Sequence, residues 1–301
     1  MLEKLSAALH LAFRQEWAIR RAIDAMQALK GGASLKQVFA VFLLWIEAFN
    51  FVVFEVPMKA HGQELDLTGY TLVYEDEFDG DTLDLDAWYY RGSKSRGGYK
   101  APSQVELRDG NVVLTGEYRE DGLYGPGWYG AEIALRQKYC RGYFEIRCIC
   151  SDGGGFWSAF WIQADHPYDH ELSAGGPGGA ELDIFEADLY EAKTPLKRNA
   201  VTQTIHLNGW DDDVEHIDSR RLGHFRGNDI YHTYNTYGLE WTEDEYIFYI
   251  NGVETTRSSF GNGVSEVPEE VIVSLCLPEE VTLKKGDSVS FYVDYVRIYQ
   301  K

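Results

Sequence analysis

From Thr71 to the end of the chain, the sequence is a succession of short apolar and aromatic segments separated by turn residues. No helical period longer than a turn or two interrupts this pattern. Numerous strands without interleaved helices pack as a sandwich of two antiparallel sheets. The sequence therefore predicts an all-β fold from this point onward. The strand candidates are residues 71–74, 112–118, 133–136, 143–150, 156–163, 200–206, 234–241, 246–250, 271–277 and 288–299.

Two local patterns support this interpretation. Phe144, Ile146 and Cys148 fall on one face of a strand while charged residues alternate with them. Asn251-Gly252 separates two strand candidates and is a strong signal for a hairpin turn. Twenty Tyr, eight Trp and thirty Gly favour many turns and an aromatic-lined cleft.

Residues 1–62 differ from the rest and are predicted to form a helical N-terminal appendage, with the β-domain spanning 63–301. Apolar residues recur there at helical spacing, Gly31-Gly32 ends the first helix, and Ser34 with Gln37 resembles a capping box that opens a second. The apolar faces of this α-helical hairpin must bury against the β-domain or a partner chain. We therefore expect self-association through residues 1–60, with a purely structural appendage as the alternative.

Charge and hydropathy exclude several partners. A net charge of −20 argues against nucleic acid and anionic membrane surfaces. The most apolar run, residues 38–54, contains Glu47 and Asn50 and is short for a membrane span, so a buried helix is expected. No secretory signal opens the sequence, which predicts the cytoplasm unless the start is mis-assigned. The four Cys have no metal-site spacing, and Cys148 and Cys150 are expected to pack.

The segment Glu181-Leu182-Asp183-Ile184-Phe185-Glu186 carries three carboxylates in six residues. Its apolar content predicts a strand, with Glu181 and Asp183 on one face. Glu186 would fall on the apolar face of a regular strand. An inserted residue, a β-bulge around Ile184 or Phe185, would return it to the acidic face.

Three carboxylates on one face raise the pKa of at least one member, which then stays protonated near neutral pH. An acid beside an ionised carboxylate is what the cleavage of a glycosidic bond requires. The Gly-rich stretch 175–179 just upstream suits the close approach of a ligand. A solvated acidic strand face is the alternative.

Several segments, in order along about residues 70–300, resemble glycoside hydrolase family 16, and together they are specific. They are EFDG at 77–80 followed by Leu83 and Trp88, GYFEIR at 142–147, FWSAFW at 156–161, YGLEWT at 237–242 with NG at 251–252, and FYVDYVR at 291–297. The six-residue acidic segment resembles the bulged form found in laminarinase-like members.

The resemblance implies an antiparallel β-jelly-roll with a concave substrate cleft and double-displacement hydrolysis with retention. Glu181 would be the nucleophile, Glu186 the acid/base and Asp183 the assisting residue between them. The expected substrate is a polysaccharide or oligosaccharide with β-1,3 or mixed β-1,3/1,4 glucan linkages, attacked within the chain. The alternatives are a galactan hydrolase of the agarose or carrageenan type, a transglycosylase, and a non-catalytic carbohydrate-binding protein with the same fold.

Other residues are candidates for sugar binding. Trp157 and Trp161 share a strand face, and their flat rings suit stacking on sugars, although core tryptophans are the alternative. The resemblance places His206 near the acid/base, with a satisfied core histidine as the alternative. The remaining candidates, with turn or salt-bridge roles as alternatives for the last two, are Trp210, Asn208, Arg91 and Gln104.

The resemblance requires no cofactor, but it implies a structural calcium ion on the convex face. The matching oxygen ligands are Glu77, the Gly110 carbonyl and Asp294, with plain surface carboxylates as the alternative. The sequence departs from the laminarinase pattern at Ser158, in the Gly-rich segment before the acidic strand, and in the long loop 165–179. These departures leave the polysaccharide open.

Overall fold

The computed structural model describes residues 57–164, 176–188, 199–206, 219–259 and 263–301. The predicted helical hairpin lies outside the described residues, as do Asn208 and Trp210. The boundary near residue 62 and self-association through residues 1–60 therefore stay predictions. In the part of the chain that the structure describes, no helix has the length and apolar content needed to cross a bilayer.

The described residues form strands and turns, with a single 3₁₀ turn at Pro102–Gln104. The strand candidates of the sequence are confirmed, and Asn251 and Gly252 both have positive φ, at 51° and 74°, as the predicted hairpin turn requires. The strands are β1 (Met58–Lys59), β2 (Thr71–Asp76), β3 (Trp88–Tyr90), β4 (Ser93–Ser95), β5 (Gly98–Lys100), β6 (Val105–Arg108), β7 (Asn111–Arg119), β8 (Gly127–Leu135), β9 (Gly142–Ile149), β10 (Trp157–Gln163), β11 (Glu181–Glu186), β12 (Ala200–His206), β13 (Ser219–Arg226), β14 (Asn235–Trp241), β15 (Tyr246–Ile250), β16 (Val253–Ser258), β17 (Glu270–Cys276) and β18 (Ser288–Gln300).

The strands form two sheets. The first has the order β1-β13-β12-β11-β10-β17-β8-β3 and carries the acidic strand β11 near its middle. The second has the order β16-β15-β14-β9-β18-β7-β6, with β2 beside the C-terminal half of β18. Strand β8 belongs to both sheets, because its first half pairs with β7 and β5 and its second half with β17 and β3. The pairings are antiparallel except β1–β13 and β5–β8.

The core lies between the two sheets. Leu182, Ile184 and Phe185 of β11 are fully buried, and the Phe185 ring stacks on Tyr237 of the opposite sheet with 4.1 Å between ring centroids. Burying side chains of this size stabilises the fold by about 1.5–3 kcal/mol each. Cys148 and Cys150 are buried free thiols in the same core, as the sequence predicts. The antiparallel β-jelly-roll sandwich is confirmed, and the apolar face of β11 leaves its acidic face free for a site.

Candidate active site

The bulge predicted in β11 is present. Asp183 pairs with Thr204 of β12 and Glu186 pairs with Thr202, so three steps on β11 match two on β12. The register with β10 on the other side shifts at the same place. Because of this extra residue, Glu186 returns to the face that carries Glu181 and Asp183.

The three carboxylates line one cleft of about 280 Å³. Glu181 is 9% exposed and Asp183 4%, so these charges lie largely out of water. The wall of the cleft comes from β10, β17 and the hairpin of β4 and β5. The residues that line it are Ser95, Arg96, Lys100, Trp157, Ala159, Trp161, Glu181, Asp183, Glu186 and Cys276.

Glu186 has the properties of a proton donor. Burial, together with the negative charge of Asp183, raises the pKa of its carboxyl to about 8. The Trp157 indole Nε1 donates to Glu186 Oε1 over 3.0 Å and orients the group. At neutral pH this side chain therefore holds a proton beside the other two carboxylates, as a general acid must.

His206 lies at the site as the partner of Asp183. Its Nε2 is 2.9 Å from Asp183 Oδ2. Burial by itself would lower the pKa of His206, but the hydrogen bond and charge of Asp183 outweigh it and raise the pKa to about 9. One donor atom each of Glu181, Asp183 and His206 lies within 4.8 Å of the others, a spacing that could hold a metal ion. The hydrogen bond between His206 and Asp183 accounts for the short distance within this pair without requiring a metal ion.

Gln163 is a site residue that the sequence analysis missed. Its Nε2 donates to Glu181 Oε2 over 2.7 Å, and Arg91 Nη2 is 3.5 Å from Gln163 Oε1. The signal was present, because Gln163 is two residues beyond Trp161 on the same face of β10. Gln163 holds the Glu181 carboxylate in one orientation in the cleft.

Trp157 and Trp161 both line the cleft and are half-buried, which places them where a sugar could stack. An arginine side chain lies over each of these two rings. The Arg96 guanidinium lies 4.5 Å from the Trp157 ring centroid, and that of Arg91 lies 5.4 Å from the Trp161 centroid. Arg91 also forms ion pairs with Glu132 and Glu270. Arg91 thus adjoins the cleft, and its sugar-binding role stays a prediction.

Gln104 lies elsewhere. Its side chain is 2% exposed, and its amide donates to Thr115 O over 3.1 Å and to Glu117 Oε1 over 3.2 Å. It is absent from the described lining of the cleft. The structure gives Gln104 a structural role in the 3₁₀ turn, so the predicted sugar contact is without support.

A second acid, Glu269, is buried just behind the nucleophile candidate, and the sequence analysis missed it. It is 0% exposed, and its Oε1 accepts the backbone N–H of Ala180, the residue before Glu181, over 3.0 Å. Burial raises the pKa of Glu269 to about 8, and the charge of Glu181 adds to the effect.

Two of the three predicted calcium ligands are paired with arginines in the structure. Glu77 Oε1 accepts from Arg297 Nε and Nη2, both at 2.8 Å, and Asp294 Oδ2 accepts from Arg147 Nη1. Gly110 lies in the turn between β6 and β7, with φ of 67°. One oxygen of each carboxylate is paired with a guanidinium, and this positive charge weakens the attraction of the site for calcium.

Because of these arginines, we expect an excess of EDTA or of calcium to leave the melting temperature unchanged. A tightly bound structural calcium ion would instead raise the melting temperature by roughly 5 °C or more, through mass action on the folded state. Differential scanning calorimetry with magnesium as the ionic control measures the difference. A calcium-specific rise would contradict the expectation and restore the site.

Comparison with known proteins places the chain in a family. The family model described as glycosyl hydrolases family 16 matches residues 94–297, which is more than half of the chain and includes the whole acidic strand. The chain belongs to glycosyl hydrolase family 16. The family 16 resemblance inferred from the sequence segments is therefore confirmed.

Two relatives with glycan-cleaving activities in their names match the chain at low identity. An endo-1,3-1,4-β-glycanase of Rhizobium meliloti, ExsH, is 27% identical over 179 residues, covering 58% of this chain and 33% of that protein. A glucan endo-1,3-β-glucosidase A1 of Niallia circulans is 24% identical over 277 residues, covering 78% of this chain and 38% of that protein. The chain thus spans well under half the length of these two relatives.

Solved structures of two glucan-cleaving enzymes share the fold. SCLam, a non-specific endo-β-1,3(4)-glucanase, has a TM-score of 0.64 and 21% identity, covering 82% of this chain and 97% of its own. The laminarinase catalytic domain of Thermotoga maritima has a TM-score of 0.60 and 20% identity, covering 77% and 98%. At this level of identity the likeness shows the jelly-roll fold and nothing finer.

Proposed function

We propose that this chain is a retaining endo-glycosidase that cleaves β-1,3 or mixed β-1,3/1,4 glucan. The observation that carries the proposal is the position of Glu186 and a hydrogen-bonded Glu181 in one cleft, where burial raises the pKa of Glu186 to about 8. Both carboxyl groups and the assisting Asp183 are in place, which disfavours a non-catalytic binding protein. The named activities of the relatives favour β-glucan as the substrate.

In the first step, Glu186 donates its proton to the glycosidic oxygen as the bond from that oxygen to the anomeric carbon breaks. A Glu181 carboxylate oxygen attacks the anomeric carbon from the opposite side and forms a covalent glycosyl ester. The departing sugar leaves as a neutral alcohol. Gln163 fixes the attacking carboxylate, and Trp157 fixes the acid.

In the second step, the Glu186 carboxylate takes a proton from water. The resulting oxygen nucleophile attacks the anomeric carbon and releases Glu181 as a carboxylate. Two inversions leave the anomeric configuration unchanged. The ion pair of protonated His206 with Asp183 lowers the net negative charge beside Glu181 and so limits the repulsion within the acidic group.

The test measures reducing ends released from laminarin, lichenan, xyloglucan and agarose, and follows the anomer first formed by NMR. We expect cleavage of laminarin or lichenan, with the β-anomer appearing first. Release from none of the four would contradict the hydrolase function. Release from agarose alone would favour the galactan alternative, and products longer than the donor would favour a transglycosylase.

Replacing Gln163 by alanine is expected to lower kcat about tenfold with little change in the fold. The loss follows because a hydrogen bond to a charged group is worth about 1.5–3 kcal/mol, and the carboxylate loses its orientation. Steady-state kinetics on the best glucan measures it. Equal kcat values for Gln163→Ala and the parent would remove Gln163 from the positioning of Glu181.

A further inference from the structure

The hairpin of β4 and β5 holds an arginine at the mouth of the cleft. Arg96 occupies its tip with φ of 47°, a left-handed conformation that is uncommon for a residue with a side chain. The tip is packed against the segment after β17, since Gly97 N donates to Pro278 O over 3.0 Å. A Cβ added at Gly97 would lie 2.5 Å from Glu279 O, so the contact is close. The position of Arg96 is therefore set by the backbone.

Arg96 differs from the other cationic residues around the cleft in its ion pairing. Lys100 is paired with Glu132, and Arg91 with Glu132 and Glu270. Arg96 is exposed, and among the described residues no carboxylate pairs with it. Its described contact is the face of Trp157, at 4.5 Å. A positive charge that has no carboxylate partner among the described residues thus lies on the aromatic surface of Trp157, whose indole contacts Glu186.

The guanidinium of Arg96 lies over the Trp157 ring, so a sugar that packs against Trp157 also contacts Arg96. A neutral sugar offers hydroxyl acceptors, whereas a carboxylate or sulfate offers two oxygens that match the planar fork of arginine and form stronger, charge-assisted bonds. The net charge of −20 disfavours anionic polymers at long range, but salt screens that repulsion over about 10 Å while a direct ion pair in the cleft persists.

Resting on the proposed glycosidase function, we propose that Arg96 and Trp157 form a subsite for a glucan sugar with an anionic substituent. The recognised group is a carboxylate or a sulfate on the sugar ring that packs beside Trp157 and Arg96. The substrate class is accordingly an acidic, substituted β-glucan in preference to the plain polymer. Arg96 acts in specificity, by contact with the substituent, and takes no part in bond cleavage.

The experiment compares kcat/KM for lichenan and laminarin with that for their carboxymethylated and sulfated derivatives. The parent is expected to prefer at least one anionic derivative, and Arg96→Gln is expected to lower the ratio of anionic to neutral kcat/KM about tenfold. Arg96→Lys should retain part of the preference. Lys94→Gln removes the same charge from an exposed position on the same hairpin and should leave the ratio unchanged.

An equal ratio in the parent and Arg96→Gln, or an equal loss in Lys94→Gln, would overturn the subsite. The carboxymethyl and sulfate arms tell which anion is preferred. If no glucan is cleaved at all, the proposed function fails instead. Calorimetric binding of carboxymethylated and neutral laminari-oligosaccharides then decides the subsite by itself, and equal affinities would overturn it.

Discussion

Replacing Glu181 by glutamine is expected to lower kcat on the best glucan at least about 10³-fold. An amide cannot form the glycosyl ester, and removing a covalent nucleophile leaves only the contributions of substrate binding and of the acid. The change is nearly isosteric, and Gln163 still lies within hydrogen-bond distance of the new side chain. Reducing-end assays at high enzyme concentration measure the residual rate.

Glu186→Gln distinguishes the acid from the nucleophile. Its loss on glucan should be about 10²–10⁴-fold, the usual contribution of general acid catalysis. On an aryl β-glycoside with a good leaving group the first step needs no acid, so a burst of phenol should precede a slow second step. Glu181→Gln should give no burst.

The same isosteric change at Glu106, which is exposed and paired with Arg108, serves as the matched control and should keep full activity. Activity of Glu181→Gln within tenfold of the parent would contradict the assignment of the nucleophile. A steady-state rate for Glu186→Gln equal to that of the parent on both substrates would contradict the assignment of the acid.

Replacing Glu269 by glutamine is expected to increase the stability of the variant relative to the parent protein as the pH rises. The pKa of Glu269 is about 8 in the folded state because of burial, whereas an exposed Glu titrates near 4.5. Between these values the folded protein binds one more proton than the unfolded chain, so the parent loses stability as pH increases. Glutamine does not titrate, so the variant lacks this loss.

The free energy of unfolding of Glu269→Gln relative to the parent should therefore rise by roughly 3 kcal/mol between pH 5 and pH 8. Chemical denaturation at several pH values measures this difference, and any constant effect of the amide cancels. Glu266→Gln, on the exposed part of the same segment, is the control and should run parallel to the parent. Parallel curves for Glu269→Gln would contradict a buried protonated acid.

Two other groups also make the folded protein less stable as the pH rises. Burial raises the pKa of Glu186 to about 8, and Asp183 raises the pKa of His206 to about 9 against the effect of burial. Each holds a proton in the folded state that the unfolded chain would release at lower pH. Residual loss of stability between pH 5 and pH 9 in Glu269→Gln is expected from these two groups.

The sequence predicted the acidic face of β11 and its bulge because both follow from the number of residues between the three carboxylates. Glu181 and Asp183 are two apart, Glu186 is five from Glu181, and apolar residues fill the other face. Alternation likewise placed Trp157 and Trp161 in the cleft. Patterns of this kind report which face a side chain occupies, and a strand has only two faces.

The features of the site that the sequence analysis missed depend on contacts between segments that are far apart in the chain. Glu269 meets Ala180 across 89 positions and Lys100 meets Glu132 across 32, and no local pattern marks either pair. Strands β3, β4 and β5 are three residues each and too short for an alternation to be read. The predicted sugar contact of Gln104 has no support, because its side chain in the 3₁₀ turn bonds instead to Thr115 and Glu117 of β7, 11 and 13 positions along the chain.

The stacking of Phe185 on Tyr237 links the acid to the far side of the sandwich. Phe185 is one of the residues that form the bulge, and its ring rests 4.1 Å from Tyr237, while the next side chain is Glu186. Core packing is dense, so a change of ring volume at Tyr237 cannot be absorbed locally. A substitution at Tyr237 would therefore shift Phe185 and change the orientation of Glu186, the proposed proton donor. Such a substitution could alter the activity without changing a residue that lines the cleft.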